Sequence, residues 1–242
     1  MIKKIILALL LLGIYQLAYK LLLVRFYLPS LLQIVNSLVT NFSTPSFYID
    51  IFSSLQRVFV GFLVATIVGV VLGILFGYNK FFRNLRFYIE LLRPIPPIAW
   101  IPIAIIIFGL GDTSSYFIVF LGAFFPIFTS TYFSVISMPE IYKYVAQSFE
   151  IGKFKYIKNV IFFYSLPHIF TGMKIGIGMA WMSVIAAELI GAQSGLGYFI
   201  QLNRLLLQTD NVVVGMLIIG IIGLLLSKLV DLIETISTPW TK

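Results

Sequence analysis

The feature that most limits how this chain can fold is a series of long apolar runs without charged residues. Residues 58–78 hold no Asp, Glu, Lys or Arg over 21 positions, and the runs at 94–111 and 113–139 share this property. A helix needs about 20 apolar residues to cross a bilayer. The chain is 60% hydrophobic and 11% charged, whereas about 25% of the residues in soluble domains are charged. The pattern predicts an all-α polytopic membrane protein.

The apolar runs predict six transmembrane helices in one domain covering residues 1–242. The first run resembles a signal peptide, but no small-residue cleavage site follows it, so we interpret it as an uncleaved span. Residues 25–56 are more polar and are expected to form an outside connection with short helical pieces. The predicted spans are approximately 5–24, 57–78, 94–111, 114–138, 169–191 and 211–233.

The distribution of basic residues predicts the orientation. Six spans put both termini on one side of the membrane. Of the 17 Lys and Arg residues, most lie at the termini, in a basic loop at 80–93 or in the 140–174 region. Because cytoplasmic connections carry an excess of Lys and Arg, both termini are predicted to be cytoplasmic. This bias also accounts for the net charge of +8, so we expect membrane lipid and no nucleic acid as a partner. The exceptions are Lys20, Arg25, Arg57 and Arg204.

Small residues recur at every fourth position of the second predicted span. Such a row lies along one side of a helix and allows another helix to approach closely. We interpret the row as a packing seam inside one subunit rather than as an interface between subunits. It consists of Gly61, Ala65, Gly69, Gly73 and Gly77.

The third predicted span begins with a proline-rich segment. Proline lacks a backbone donor and interrupts helices, and at membrane depth the freed backbone groups need protein or a water-filled cavity as partners. The segment is therefore predicted to start irregularly, inside the bundle, and to line or border a pathway. The candidate pathway residues are Arg93, Pro94, Pro96 and Pro97.

The connection at 139–168, between the fourth and fifth spans, is basic and amphipathic. Its apolar residues can form one side, while Lys153, Lys155 and Lys158 face water or acidic groups. Such a helix can dock on a soluble partner or lie on anionic headgroups, and the residues alone leave both possibilities open. The apolar set is Tyr144, Phe149, Phe154, Ile157 and Ile161.

Motifs for catalysis are absent from the sequence. No phosphate-binding motif of the form G-x-x-x-x-G-K-[ST] occurs, and there is no cysteine. The one histidine, His168, follows Pro167 and is expected to cap or lie at an interface rather than to catalyse. The chain is therefore not expected to be an enzyme, to bind a metal ion or to carry a cofactor.

Three segments together resemble the permease subunits of prokaryotic ABC importers, in the nitrate, sulfonate and taurine branch. They are LLRPIPPIAWIP at 91–102, LGAFFPI at 121–127, and LPHIFTG at 166–172 continuing to AAELIGAQSGLGY at 186–198. The resemblance implies a multi-pass protein of the prokaryotic cell membrane and a pathway for a small anion or a sulfur or nitrogen compound. It also implies three kinds of partner: a second permease subunit, expected to form a homodimer, two cytoplasmic ATPase subunits and an extracytoplasmic binding protein.

The resemblance also implies that the 139–168 connection is a coupling loop that docks on the ATPase. The family hallmark there is Glu-Ala-Ala, with a glycine four residues after the second alanine. Counted without a gap, residues 144–146 (YVA) take the triplet and Glu150 the glycine; the other register uses Gly152 and residues 146–148 (AQS). Both lack the glutamate. The candidate coupling residues are Tyr144, Val145, Ala146, Phe149, Glu150 and Gly152.

Glu188 is the one carboxylate within the fifth predicted span, and a charge inside a span needs a partner. Arg57, at the start of the second span, is one of few cations on the same side. We predict that Glu188 and Arg57 pair and brace an external gate against the turn at 191–197, which contains Gln193 and Ser194. The alternative is that Glu188 reaches interfacial water or accepts hydrogen bonds from backbone N–H groups.

A self-contained secondary transporter or channel is the alternative function. That class is expected to show inverted repeats and ionisable residues at the membrane midplane. The sequence contains no convincing repeat, and its candidate intramembrane charges lie near the ends of the spans.

Overall fold

The computed structural model describes residues 28–241, together with Leu10, Gly13, Tyr15 and Gln16. The predicted first span at 5–24 lies almost wholly outside the described residues and stays a prediction. The regular structure of the described part is helical. Its α-helices are α1 (Leu31–Phe42), α2 (Pro45–Tyr78), α3 (Lys80–Leu92), α4 (Ile101–Phe108), α5 (Asp112–Ile136), α6 (Ile141–Ser148), α7 (Lys153–Gly191), α8 (Leu196–Leu205) and α9 (Thr209–Ser237).

Four of these helices, α2, α5, α7 and α9, are long and apolar enough to cross a membrane. They contain or overlap the spans predicted at 57–78, 114–138, 169–191 and 211–233. Helix α2 begins at Pro45, well before the predicted start, because proline is favoured at the first position of a helix. The connection expected at 25–56 is therefore mostly helical, consisting of α1 and the first turns of α2.

Helices α2 and α5 lie side by side and run in the same direction. A Cβ atom built on Gly61 would lie 2.6 Å from Val119 Cβ, and one built on Gly77 would lie 2.6 Å from Val135 Cβ. The contacts therefore move in the same direction along both helices, and at these two positions only glycine permits so close an approach. The predicted packing seam inside one subunit is confirmed.

Because α2 and α5 are parallel, the chain between them must return along the bundle. Helix α3 lies near the end of α5, where the Arg86 guanidinium stacks 4.4 Å from the Tyr132 ring centroid. A 3₁₀ turn at Pro97–Trp100 and helix α4 then lead back, at 86° to α3. The run predicted as a span at 94–111 is therefore a short, broken helix with the irregular start that its prolines predict.

Helix α3 replaces the basic loop expected at 80–93. The Asn79 side chain accepts a hydrogen bond from the Phe81 N–H at 2.9 Å and so caps the helix. Arg86 and Glu90, one turn apart, form an ion pair on its surface. The cap and the ion pair are local signals for a helix. The segment was interpreted as a loop because of its many basic residues.

Helix α7 runs antiparallel to α5, with Gly122 against Ser183 at one level and Gly172 against Ile127 at another. Helix α9 packs along the other side of α7, where the Trp181 Nε1–H donates to the Ile219 carbonyl at 3.0 Å. We call the end of the bundle at residues 137–152 the loop end, and the opposite end, where Arg57 lies, the Arg57 end.

The connection predicted as a loop over 139–168 is shorter than expected. Helix α6 follows α5 closely, but residues 153–168 already belong to α7, which continues through a π-helical turn at Ile157–Ile161. A π turn takes up an extra residue without ending the helix. Burial of Tyr156 and Ile161 beside Val135 and Ala146 holds these first turns against the bundle.

Candidate functional site

The Arg57 end holds a cluster of charges centred on the guanidinium of Arg57. Its Nη1 lies 2.8 Å from Glu188 Oε1, and its Nη2 lies 2.7 Å from Asp112 Oδ1. The Arg57 and Glu188 side chains are 4% and 0% exposed, whereas Asp112 is 56% exposed. The predicted pairing of Glu188 with Arg57 is confirmed as a contact.

The buried carboxylate of Glu188 has further donors. The Ser54 hydroxyl lies 2.8 Å from both carboxylate oxygens, and the Gly197 N–H donates to Oε2 at 2.9 Å. The ion pair and the backbone hydrogen bond, considered above as alternatives, therefore occur together. A buried ion pair is tolerated when its remaining hydrogen-bonding capacity is also satisfied, and this site meets that condition.

The turn between α7 and α8 is held by the same cluster. Arg57 donates to the Ser194 carbonyl at 2.6 Å and to the Ser194 hydroxyl at 2.9 Å. The Gly195 N–H donates to Asp50 at 2.8 Å, and Gly195 has a φ of +111°. A side chain at Gly195 would also overlap the Glu188 carboxylate, so both conformation and space require glycine.

Three members of the cluster, Asp50, Ser54 and Asp112, were not predicted. Asp50, Ser54 and Arg57 are spaced four and three residues apart, which puts them on one face of α2. That spacing was a usable signal, but the segment was interpreted as a connection. Asp112 opens α5 and lies beside Arg57 because of the turn that contains Gly109 and Gly111, both with positive φ.

Gln193 lies beside the cluster and, with Arg57, Asp112 and Ser194, lines a cavity of 260 Å³. Within the part of the chain that the structure describes, no group of three His, Cys, Asp or Glu residues could hold a metal ion. The arrangement is therefore suited to fastening helices and a turn together. The single side chain of Arg57 contacts α5, α7 and the turn that follows α7, and so connects all three with α2.

The proline-rich segment lies apart from this cluster. Arg93 and Pro97 line a second cavity of 290 Å³, whose other walls come from α5 and α7. Pro94 and Pro96 are exposed and do not belong to this lining. The residues grouped as pathway candidates thus divide between two places along the bundle.

Helix α6 presents an exposed apolar surface at the loop end. Tyr144 is 54% exposed, Val145 47% and Phe149 75%, whereas Ala146 is buried and fastens α6 to the bundle. The Tyr144 hydroxyl donates to Glu140 at 2.9 Å, and this hydrogen bond raises the pKa of Tyr144. Such a surface resembles one side of an interface between proteins.

The two alignments of the family hallmark place its glycine at Glu150 or at Gly152, and these two residues differ in backbone conformation. Glu150 has a φ of +49°, in the left-handed region that favours glycine. Gly152 has a φ of −61° and a ψ of 152°, a conformation open to any residue. The position that demands glycine geometry is therefore Glu150.

Comparisons with known proteins agree with this architecture. Residues 65–242 match the family described as binding-protein-dependent transport system inner membrane component. The nitrate import permease protein of Synechocystis sp. is 37% identical over 194 residues, covering 79% of this chain and 70% of that protein. The taurine transport system permease protein of Escherichia coli is 34% identical over 220 residues, covering 88% and 80%.

Solved structures of the MetNI methionine ABC transporter in inward-facing conformations share the fold. One matches with a TM-score of 0.68 at 18% identity, covering 77% of this chain and 94% of the matched chain. A second crystal form matches with a TM-score of 0.69 at 16% identity, covering 87% and 98%. The chain therefore belongs to the binding-protein-dependent inner membrane component family, and it is the permease subunit of an ABC importer.

Proposed function

We propose that this permease forms the pathway by which a small anion, of the nitrate, alkanesulfonate or taurine type, enters a prokaryotic cell. Relatives named for nitrate and taurine import support this substrate class. In this proposal two copies of the chain form the pathway, two ATPase subunits bind in the cytoplasm, and an extracytoplasmic binding protein delivers the substrate. The excess of Lys and Arg at the termini and the loop end supports cytoplasmic termini.

The single structural observation that carries the ATPase-driven part of the proposal is the exposed apolar surface at α6. Tyr144, Val145 and Phe149 are exposed, and Lys143 and Lys153 line a cavity together with Ala146. Large aromatic side chains are typical anchors of protein interfaces. We assign this surface to the ATPase subunit. Ala146 lies buried beneath it, and Gly152 follows it in the chain.

The conformation of Glu150 supports the gap-free register of the hallmark. In that register Glu150 takes the position of the family glycine, and residues 144–146 (YVA) take the triplet. An observed left-handed φ at Glu150 is what a glycine position requires. The missing hallmark glutamate means that apolar contacts of Tyr144 and Phe149 carry more of the docking.

At the opposite end, the Arg57 cluster is proposed to brace the external gate. The gate comprises the turn with Gln193 and Ser194, which Arg57 holds against Glu188. Opening requires these hydrogen bonds to be exchanged. Separating the partners of a buried ion pair costs free energy while either charge stays buried, and this cost favours the closed gate until a partner supplies compensating contacts.

The docking assignment is tested by combining Tyr144→Asp with Phe149→Asp. Two carboxylates in an apolar interface should reduce capture of the co-expressed cognate ATPase by at least about tenfold, since burying unpaired charges costs several kcal/mol. Tyr48→Asp is the control, because Tyr48 is similarly exposed and belongs to the first turns of α2, away from the loop end. Unchanged capture by the double variant would refute the assignment.

A further inference from the structure

We propose that Arg93 selects the charge of the transported solute, by holding a small oxyanion in the cavity between the proline-rich segment, α5 and α7. The inference rests on the proposed function as an anion pathway. It goes further by naming the residue and the chemistry: a nitrate-like or sulfonate-like group bound by a guanidinium. The cavity measures 290 Å³, at the small end of ligand sites, which suits a solute of few atoms.

Arg93 is the one charged residue among those that line this cavity. Within the described part of the chain, its guanidinium makes no hydrogen bond or ion pair. The carboxylate nearest in sequence, Glu90, is already paired with Arg86. Arg93 therefore brings a positive charge that no carboxylate in contact with it among the described residues balances.

The position of the cavity gives that charge its effect. Pro126 and Ile175 also line it, and both belong to the middle of long apolar helices. Arg93 itself is exposed at this mostly apolar cavity, and a cleft with low-dielectric walls focuses the field of a charge that lines it. Ionisable residues that face a cavity between membrane spans typically mark the path of an ion or substrate.

The rest of the lining is complementary to a short organic or inorganic anion. Thr129 lines the cavity, and within the described residues its hydroxyl makes no hydrogen bond, so it can donate to an oxyanion. Ser130 donates instead to the His168 carbonyl at 2.6 Å. Phe125 and Met179 supply apolar walls that suit a short alkyl chain. One cation and one hydroxyl give the weak binding that passage demands.

The absence of cysteine permits a direct measurement of the local potential. Ser130→Cys places a thiol in the cavity, and Ser137→Cys places one seven residues further on, at the residue that follows α5, exposed and outside the lining. The full chain is reconstituted in phosphatidylcholine nanodiscs. Each thiol is then modified with an anionic reagent, sulfonatoethyl methanethiosulfonate, or with its cationic trimethylammonium analogue.

The readout is the ratio of anionic to cationic reaction rates. Arg93→Gln should lower this ratio about tenfold in the Ser130→Cys protein, because one nearby charge is removed, and Arg93→Lys should preserve most of it. In the Ser137→Cys protein the ratio should stay within about twofold, since screening limits the reach of the charge. Equal ratios with and without Arg93, or equal changes at both positions, would overturn the proposal.

Protection distinguishes a soluble anion from a lipid headgroup. Ethanesulfonate or nitrate at millimolar concentration should slow the anionic reagent in phosphatidylcholine discs, and only when Arg93 is present. Protection that needs phosphatidylglycerol and is indifferent to the soluble anions would overturn the proposal in favour of a lipid site. Because the assay needs no ATPase or transport, its failure is separable from failure of the proposed function.

Discussion

At the scale of single residues, the buried Arg57–Glu188 pair carries the clearest energetic consequence. Removing one partner costs about 3–5 kcal/mol where it leaves the other charge buried and unpaired. The two partners are not equivalent, because Arg57 also binds Asp112. Loss of Arg57 leaves two carboxylates without their cation, whereas loss of the Glu188 charge leaves Arg57 with Asp112.

The pair therefore makes a prediction for a double-mutant cycle. Arg57→Gln and Glu188→Gln should each impair uptake and thermal stability, with Arg57→Gln the more harmful. The double variant should be no worse than Arg57→Gln, because the two side chains act as one unit. Asp112→Asn is the control and should have the smallest effect, since Asp112 is half exposed. Strictly additive losses would show that the pair is not coupled.

The sequence predicted the site best where a single charged residue lay within an apolar segment. Glu188 in an apolar helix needed a partner, and Arg57 was one of few available. The prediction was least successful at Asp50 and Ser54, which accept hydrogen bonds from the backbone N–H groups of Gly195 and Leu196. Such partners are brought together only by the packing of α2 against the turn after α7, which no local pattern reports.

At the scale of helices, the glycine row of α2 makes the next prediction. A Cβ on Gly73 would lie 2.6 Å from Thr131 Cβ, whereas one on Gly178 of α7 meets nothing within 4 Å. Gly73→Ala should therefore push α2 from α5 and destabilise the protein by about 1–3 kcal/mol. Gly178→Ala should be neutral or slightly stabilising. Thermal unfolding in detergent compares them, and equal melting temperatures would contradict the seam.

The apolar runs predicted the existence of the long helices but not all their ends. Uncharged stretches indicate membrane-buried residues, whereas α2 and α7 extend into more polar sequence at residues 45–57 and 153–168. The parallel direction of α2 and α5 also depends on the broken return through α4. Helix α3 was missed because its basic residues were attributed to a loop, although Asn79 and the Arg86–Glu90 pair stabilise a helix.

At the scale of the whole molecule, α7 connects the two ends of the bundle. Its 39 residues give a length of about 58 Å, nearly twice the hydrocarbon thickness of a bilayer. Its first turns pack beside α6, and its last turn carries Glu188. In our account, movement of an ATPase docked on α6 is transmitted along α7 to the gate that Arg57 holds closed.

The most direct test is uptake by proteoliposomes containing the permease and its cognate ATPase, with the binding protein outside and ATP inside. We predict accumulation of labelled taurine, an alkanesulfonate or nitrate that requires enclosed ATP and is lost when Tyr144→Asp and Phe149→Asp are combined. Uptake at the same rate without ATP would contradict the account, because it is the behaviour of a self-contained secondary transporter or channel. ATP-dependent accumulation confined to cationic solutes would contradict it equally.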